Sequence, residues 1–464
     1  MSEEKKLNMP QSLLLLLLII GSVAVCIRLK TGGPMIGLFF SWIIIYLFCK
    51  WLKIKYDHVV SGAYDAIRVV VPTLCLLMAI GVMIGTWLQS GTIATIIAGG
   101  LKLIDPTWLL PLTLVFCAVL SLVTGTSYGS VGSAGVAMMA IGNAMGINPG
   151  MVAGAVICGA MFGDKLSPLS DTTNLAPAVA GAKLNDHVRS MLWTTLPTFV
   201  ISLVLFVILG ISQTSGGYEE GNLIVYTEAL QGEFKLGLVT LIPAAVIIVL
   251  LLCKVNAIVS LGLSSVCAGA VAFFCQGATL QSIIRVAYNG YTTQIEEAVL
   301  KTILNRGGMS SMLQYVAIIC FAVGMGGMLD RLGVLDNILR AITGRINSDG
   351  GLIFATLLVG YITSLISCSQ PMSHVLTGNM MKPLFKERKI APEILSRSLE
   401  DAGTLSGPMI PWHGYCVYMA GTLAWSAFFP YLFLLYLTPF FSIFYGFTGI
   451  SIRHVEDENE QKQG

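Results

Sequence analysis

Long apolar runs, separated by short polar segments, are the feature that most restricts the fold of this chain. Of its 464 residues, 55% are hydrophobic and only 11% are charged, whereas about 25% charged residues are usual in soluble domains. A helix crosses the hydrocarbon of a bilayer with about 20 apolar residues, and apolar runs recur between Leu13 and Phe444. We therefore expect an all-α polytopic membrane protein with roughly 10 to 12 transmembrane spans, some of them broken.

The charge, the cysteines and the missing nucleotide motifs narrow the possible functions. A formal net charge of +2 gives no reason to expect a nucleic acid as partner. The 11 cysteines occur singly, without a CxxC pair, so we interpret them as small core residues rather than as disulfides or metal ligands. No Walker A or HExxH motif occurs. This predicts a protein that is not an enzyme, has no cofactor and takes its energy from ion gradients.

Basic residues near the first two apolar runs predict the orientation of the N-terminus. Lys5 and Lys6 precede the first run, and three lysines between positions 50 and 55 follow the second. The positive-inside rule then favours a cytoplasmic N-terminus, although Arg28 and Lys30 would face outward.

Two halves of the sequence carry similar landmarks in the same order. Residues 85–91 resemble residues 327–333, and residues 121–127 resemble residues 364–370, at offsets of 242 and 243. Similar halves in a transporter usually pack around a pseudo-twofold axis, with the substrate near the membrane midplane; the alternative is chance similarity between apolar helices. The predicted parts are N-terminal helices at 1–55, repeat one at 56–213, a connection at 214–280, repeat two at 281–450 and an acidic tail at 451–464.

The first polar interruption of each repeat, at 124–148 and 367–385, predicts a re-entrant hairpin. Glycines and hydroxyl residues crowd positions 124–133, and glycine costs a helix about 1 kcal/mol relative to alanine. Irregular backbone at membrane depth is tolerated where it lines a cavity, and its N–H groups and hydroxyls suit a carboxylate or Na⁺. The alternative is close helix packing through small residues. The candidate substrate residues are Thr124, Thr126, Ser127, Ser130, Ser367 and Ser369.

The second interruption of repeat one, residues 163–181, predicts a broken helix that binds an ion. Pro168 and Pro177 each remove a hydrogen-bond donor, so we expect the helix to fail near residues 165–167. An acid at membrane depth costs roughly 2.5 to 3.5 kcal/mol and is a functional hypothesis by default. Carboxylates, hydroxyls and an amide form a set of oxygen ligands for a small, hard cation. The candidate ion-binding and proton-coupling residues are Asp164, Ser167, Asp171, Thr172, Thr173 and Asn174, with Lys165 as a snorkelling or charge-balancing residue.

Repeat two has a counterpart at residues 401–421, also with paired prolines and hydroxyls. Asp401 precedes this break, and the hydroxyls of Thr404 and Ser406 could complete a coordination shell. His413 could relay protons near neutral pH, although a lone histidine is more often a structural residue with its hydrogen bonds satisfied.

At residues 163–174 the sequence Gly-Asp-Lys-Leu-Ser-Pro-Leu-Ser-Asp-Thr-Thr-Asn resembles the signature of the NhaC family of bacterial sodium/proton antiporters. Residues 124–127 are similar to the first hairpin of that family. The resemblance implies inverted repeats with re-entrant hairpins, a scaffold domain and a moving transport domain in the bacterial cytoplasmic membrane, and a homodimer. It also implies Na⁺ at the broken helices. Some members exchange malate for lactate with coupled H⁺ and Na⁺.

These observations predict a secondary active transporter that exchanges Na⁺ for H⁺ by alternating access. Asp164, with Asp171, would hold either a proton or Na⁺, and the transport domain would cross the bilayer only when occupied. The alternative is a Na⁺- and H⁺-coupled exchanger of small carboxylates of the malate/lactate type. A passive channel fits less well, since it would need a continuous polar pore.

Overall fold

The computed structural model describes residues 6–29, 33–214, 220–343, 346 and 348–455. Within these ranges the chain is helical, apart from turns and one isolated bridge between Ile390 and His454. Among the described residues, eight helices are long and apolar enough to cross a membrane, and the number rises to ten if each of two bent helix pairs counts as one span. The all-α, multi-pass membrane class is thereby confirmed, at the lower end of the expected span count. Residues 456–464 of the predicted acidic tail, and Lys5, lie outside the described residues.

Two helices, α1 (Met9–Arg28) and α2 (Gly33–Leu52), precede the first half. The helices of the first half are α3 (Tyr56–Gln89), α4 (Thr92–Leu103), α5 (Pro106–Thr124), α6 (Ser127–Ser130), α7 (Val136–Ala144), α8 (Pro149–Leu166), α9 (Asp171–Ala180) and α10 (Leu184–Thr214).

N-cap residues and prolines determine where two of these helices begin. Asp105 and Asn148 each accept a backbone N–H at 2.8 Å as N-caps of α5 and α8, and proline follows at the first helical position.

The remaining helices form a connection and the second half. The connection contains α11 (Glu220–Glu233), α12 (Ile242–Leu252), α13 (Ala257–Cys275), α14 (Leu280–Asn289) and α15 (Ala298–Leu304). The second half contains α16 (Met309–Arg331), α17 (Val334–Thr343), α18 (Asp349–Ser367), α19 (Gln370–Glu387), α20 (Pro392–Leu399), α21 (Gly414–Leu423) and α22 (Phe433–Thr448).

Helix ends recur in the two halves at the offset seen in the sequence. Helices α3 and α16 end 242 residues apart, whereas α5 and α18, and also α9 and α21, end 243 residues apart. Gly91 and Gly333 follow the first pair with φ of 74° and 73°. Helix α9 is followed by Gly181 and α21 by Ala424, both left-handed, so the counterpart of Gly181 is Ala424.

Each predicted hairpin turns at one left-handed residue. Gly125 and Cys368 have φ of 70° and 54°, and each is followed by an extended N-cap residue, Thr126 or Ser369. These paired conformations repeat the local structure as well as the sequence. An inverted orientation of the two halves stays a prediction.

The first hairpin is more helical than expected. Only Gly125 and Thr126 leave the helical conformation, and the chain is helical again from Ser127 to Ala144 through a π-helical segment, Val131–Gly135. The expectation of irregular backbone as far as Ser133 is therefore wrong. The segment is buried throughout, and its small residues let neighbouring helices approach closely, which outweighs the low helix propensity of glycine.

The broken helix of the first half bends by 49° between α8 and α9. Helix α8 ends at Leu166, as predicted, and α9 begins at Asp171. Pro177 lies inside α9 and does not end it. In the second half, α20 continues as the π-helical segment Glu400–Thr404, and the irregular residues 410–413 precede α21.

Each hairpin packs against the broken helix of the other half. The Tyr418 hydroxyl on α21 donates to the Tyr128 carbonyl on α6 at 2.6 Å. The Lys382 ammonium on α19 donates to the Val179 carbonyl on α9 at 3.0 Å. The crossed arrangement brings the polar breaks of both halves into one buried region.

Candidate functional site

Asp164 lies where three elements meet. It occupies the last turn of α8 and is only 7% exposed. The Ser127 hydroxyl, at the start of α6, donates to the Asp164 carboxylate, and the Tyr415 hydroxyl of α21 contacts Ser127. Because α6 and α8 belong to the first half and α21 to the second, both halves contribute to the surroundings of this carboxyl.

The polar residues after Asp164 hold the backbone of the break. The Thr173 hydroxyl lies 3.1 Å from the carbonyl oxygen of Asp164 and 3.0 Å from that of Lys165. The Asn174 amide donates to the carbonyls of Pro168 and Ser170 at 2.9 and 2.8 Å. The Thr173 bonds reach carbonyls of the last turn of α8, where the helix leaves carbonyls without helical partners, and the Asn174 bonds reach carbonyls of the turn between α8 and α9. Thr173 and Asn174 therefore stabilise the bend.

Two further candidates of this segment have local hydrogen bonds. The Thr172 hydroxyl lies 3.1 Å from that of Ser170, and the Ser167 hydroxyl accepts the Leu169 N–H at 3.3 Å. Neither interaction involves the Asp164 side chain.

The structure places Asp171 in a different environment from Asp164. Asp171 is the first residue of α9 and its side chain is exposed, whereas Asp164 is buried. The charge of Asp171 still lies within electrostatic range of Asp164. A carboxylate in the first turn of a helix is favoured by the helix dipole, so Asp171 has a structural reason for its position.

Lys165 and Asp401 form an ion pair between the halves. Both side chains are fully buried, so a snorkelling role for Lys165 is excluded and charge balance remains. The ammonium also donates to the Thr195 hydroxyl at 2.9 Å, and the Thr194 hydroxyl donates to Asp401 at 3.2 Å. Residues 165 and 401 thus hold α8, α10 and the π-helical segment together.

Glu400 is absent from the set predicted by sequence. Its side chain is fully buried, and its carboxyl oxygens make no hydrogen bond of normal geometry among the described residues, although the Thr404 hydroxyl lies close to them. Asp164, Lys165 and Asp401 all lie within electrostatic range of it. The available signal was an acidic pair directly before a proline-rich break, since acids at membrane depth are functional by default.

The other second-half candidates have local partners. The Thr404 hydroxyl lies 3.1 Å from His374 Nε2, and the Ser406 hydroxyl donates to the Gly403 carbonyl at 3.2 Å. His413 caps α21, because its Nδ1 accepts the Tyr415 N–H at 3.0 Å.

The hairpin candidates also differ in their hydrogen-bond partners. Thr124 donates to the Leu120 carbonyl at 2.7 Å, and Ser367 donates to the Ser369 carbonyl at 3.2 Å. The Thr126 hydroxyl accepts the Gly129 N–H at 3.3 Å. The hydroxyls of Ser130 and Ser369 are buried without a partner among the described residues. Of the six hairpin candidates, Ser127 is the one placed against Asp164.

No group of three or more His, Cys, Asp or Glu side chains in the described ranges is close enough to hold a metal ion together. An ion at Asp164 would therefore be held by this carboxylate together with hydroxyl and carbonyl oxygens. Such oxygens are ligands that hard cations prefer.

Gly125 allows the first hairpin to approach the break. A Cβ atom at this position would lie 2.6 Å from Leu169 Cβ and 2.9 Å from the Leu169 carbonyl carbon. The left-handed conformation alone costs another residue roughly 1–2 kcal/mol. Gly125→Ala should therefore lower the free energy of unfolding by at least about 1 kcal/mol, measured by thermal unfolding of the purified protein in detergent.

Gly99→Ala is the matched control, since its Cβ would meet nothing within 4 Å and it lies inside α4. It should leave stability unchanged or raise it by up to roughly 1 kcal/mol. Equal stability of the Gly125→Ala variant and the unsubstituted protein would contradict the close approach.

Comparison with known proteins places this site in a family. The model of the Na⁺/H⁺ antiporter family matches residues 159–450. The Na⁺/H⁺ antiporter NhaC of Alkalihalophilus pseudofirmus is 35% identical over 97% of both chains. The malate-2H⁺/Na⁺-lactate antiporter of Bacillus subtilis is 35% identical over 89% of both chains. The Na⁺/H⁺ antiporter NhaC of Bacillus subtilis is 32% identical over 96% of this chain and 99% of its own length.

Among solved structures, MtrF of Neisseria gonorrhoeae aligns over 84% of both chains with a TM-score of 0.37 and 12% identity, a similarity too low to carry an argument. The matches to the antiporters instead extend over nearly the whole chain and include the breaks of both halves. They confirm the resemblance seen at residues 163–174. The chain belongs to the Na⁺/H⁺ antiporter family.

Proposed function

We propose that this protein exchanges Na⁺ for H⁺ across the bacterial cytoplasmic membrane, with Asp164 as the carboxyl that binds either ion. The burial of Asp164 without a cationic partner among the described residues is the observation that carries this proposal. The adjacent Lys165 is paired with Asp401, and Ser127 supplies a hydrogen bond but no charge. A buried carboxylate is strongly unfavourable unless a cation or a proton neutralises it.

Exchange follows from this requirement. If the carboxyl can be neutral only with H⁺ or with Na⁺, the two ions compete, and the empty site is too costly to move through the bilayer. Conformational change is then coupled to occupancy. The breaks of α8–α9 and α20–α21 contact this region and are our candidates for the moving part.

The proposal includes a cytoplasmic N-terminus and a homodimer. The first is supported by the lysines that follow α2, and the second by the resemblance to the NhaC family. Cysteine accessibility from each side of the membrane and cross-linking in native membranes would test the two statements separately.

The decisive experiment uses the purified protein in proteoliposomes with a pH-sensitive dye inside. An inward Na⁺ gradient should drive saturable proton efflux, whereas protein-free liposomes should show none. Proton movement that does not respond to Na⁺, with or without malate and lactate, would overturn the proposal.

A second candidate is coupled exchange of small carboxylates. It is favoured by the malate-2H⁺/Na⁺-lactate antiporter, which is as similar in identity as the first NhaC relative. The hydroxyls of Ser130 and Ser369, which have no hydrogen-bond partner in the part of the chain that the structure describes, are donors that a carboxylate could use. Uptake of radiolabelled malate or lactate that depends on the Na⁺ gradient would select this function, and its absence would favour Na⁺/H⁺ exchange.

Because Asp171 is exposed, its replacement should affect Na⁺ binding less than replacement of Asp164. Asp171→Asn should weaken the apparent Na⁺ affinity by only a few-fold and destabilise the start of α9 by about 0.3–1 kcal/mol. Na⁺-dependent proton movement in proteoliposomes measures the first effect.

Asp57→Asn removes an exposed acid from the first turn of α3 and should leave the Na⁺ affinity unchanged. Complete loss of exchange in the Asp171→Asn protein would instead show that both acids bind the ion, as the sequence predicts.

A further inference from the structure

We propose that the cavity around Arg306 binds a small monocarboxylate, at a site separate from the ion site of Asp164. The inference does not depend on the proposed exchange of Na⁺ for H⁺, and it adds a second binding site and a class of ligand to it.

The cavity lies between elements of both halves and of the connection. Its volume is about 610 Å³, and it is lined by the end of α7, the start of α8, helix α15 and the end of α21. Cavities of about 300–1,000 Å³ with apolar walls and a few polar groups are typical of small-molecule sites. The apolar walls here include Met139, Ile147, Ile303, Leu423 and Trp425.

Arg306 is the only charged side chain among the described residues that line this cavity. It is half-buried, and its guanidinium donates to the Thr422 carbonyl at 3.0 Å. A guanidinium has five N–H donors, and no acid in the described ranges forms an ion pair with this one. Arg306 therefore carries a positive charge and several donors that an anion can use.

The acid nearest to the cavity in sequence has another role. Glu297 directly precedes the lining residue Ala298, and its carboxylate accepts the N–H groups of Val299 and Leu300 at 2.7 and 3.2 Å. These bonds cap the start of α15, where the helix dipole also favours a negative charge. Glu297 is thereby held by backbone donors rather than by Arg306.

The residues of the lining favour a monocarboxylate over other anions. One guanidinium balances one negative charge, and its planar N–H groups can bind both oxygens of a carboxylate. No lysine or second arginine lines the described part of the cavity to balance a phosphate dianion. Asn143 also lines it, and its buried Oδ1 has no hydrogen-bond partner among the described residues. Its amide can donate to the carboxylate and accept from a water beside it, while the apolar walls suit a short hydrocarbon tail.

The cavity and the ion site lie at opposite ends of the same two helices. Pro149 lines the cavity and begins α8, whereas Asp164 lies in its last turn. At a rise of 1.5 Å per residue, about 22 Å of helix separates them. In α21, Leu423 lines the cavity, whereas Tyr415 at the other end contacts Ser127. A ligand at Arg306 therefore does not touch the carboxyl of Asp164.

Calorimetric titration of the purified full chain in neutral detergent tests this inference. Butyrate should bind saturably, whereas butyramide, which has nearly the same shape and no charge, should not bind. Arg306→Gln should weaken butyrate binding by roughly tenfold or more, as expected when hydrogen bonds to a charged group are lost. Arg285→Gln is the matched control: it removes an exposed arginine of α14 that does not line the cavity, and the affinity should stay unchanged.

Two further variants make the test independent of folding and of the ion site. Ala298→Phe fills part of the cavity and leaves Arg306 in place, so it should also weaken butyrate binding and serves if Arg306→Gln fails to fold. Asp164→Asn should bind butyrate as tightly as the unsubstituted protein. Loss of binding in that variant would place the carboxylate at the ion site and overturn the inference.

Three other results would also overturn it. They are absence of butyrate binding to the unsubstituted protein, equal binding of butyrate and butyramide, and unchanged butyrate affinity in a folded Arg306→Gln protein. Displacement of butyrate by phosphatidylglycerol in mixed micelles would assign the cavity to a lipid headgroup instead. Failure of Na⁺-driven proton movement in proteoliposomes would refute the proposed function and leave this binding result untouched.

Discussion

Replacing Asp164 with asparagine is expected to abolish Na⁺-driven proton movement in proteoliposomes. The amide can neither release a proton nor supply the negative charge that balances Na⁺ in a buried site. Loss of one partner from a buried charge pair costs about 3–5 kcal/mol, which corresponds to a decrease of at least about 100-fold in Na⁺ affinity. Folding should survive, because asparagine has nearly the same shape and can still accept the hydrogen bond from Ser127.

Two variants distinguish the effect of the Asp164 carboxyl charge from the effect of its position and hydrogen bonding. Asp164→Glu keeps the carboxyl but displaces it, so reduced exchange is expected rather than none. Ser127→Ala removes a donor from a charged acceptor, a change of roughly 1.5–3 kcal/mol, and should weaken Na⁺ binding while the exchange persists. Near-normal exchange by a correctly folded Asp164→Asn protein would rule out Asp164 as the exchanging carboxyl.

The second large effect is expected from Lys165→Met. The substitution leaves the Asp401 carboxylate buried without its cation, and it also removes the contact with Thr195. Breaking a buried ion pair in this way typically destabilises a protein by about 3–5 kcal/mol. We therefore expect a marked fall in the thermal unfolding temperature of the purified protein in detergent, and poor expression.

A matched double variant tests whether the loss of stability comes from the unpaired charge of Asp401 or from the change in side-chain size. Lys165→Met combined with Asp401→Leu removes both charges, and replacing a buried pair by apolar residues is often neutral or stabilising. The double variant should regain most of the lost stability and still exchange Na⁺ for H⁺. A double variant as unstable as the single one would contradict the ion pair. A stable double variant without exchange would show that Asp401 takes part in ion binding, as predicted from the sequence.

Several elements of this fold follow from local sequence chemistry. Apolar run length predicts the membrane spans, and Pro168 together with its polar neighbours predicts the end of α8 near Leu166. Repeated landmarks predict recurring helix ends, because similar local sequences favour similar helix termini. The first hairpin shows the limit of such reasoning. Its glycines disfavour a helix locally, yet the segment is helical because it is buried against neighbouring elements.

In the candidate site, too, some features follow from local sequence and others from packing. The sequence by itself determined that acids, hydroxyls and prolines lie together in two segments between apolar runs, since this depends only on order along the chain. Which of them meet depends on packing between segments far apart in sequence. The tertiary structure alone decided that Ser127 contacts Asp164 and that Lys165 pairs with Asp401. It also decided that Asp171 is exposed while Glu400 is buried, because burial is a property of the packed helices and not of any one segment.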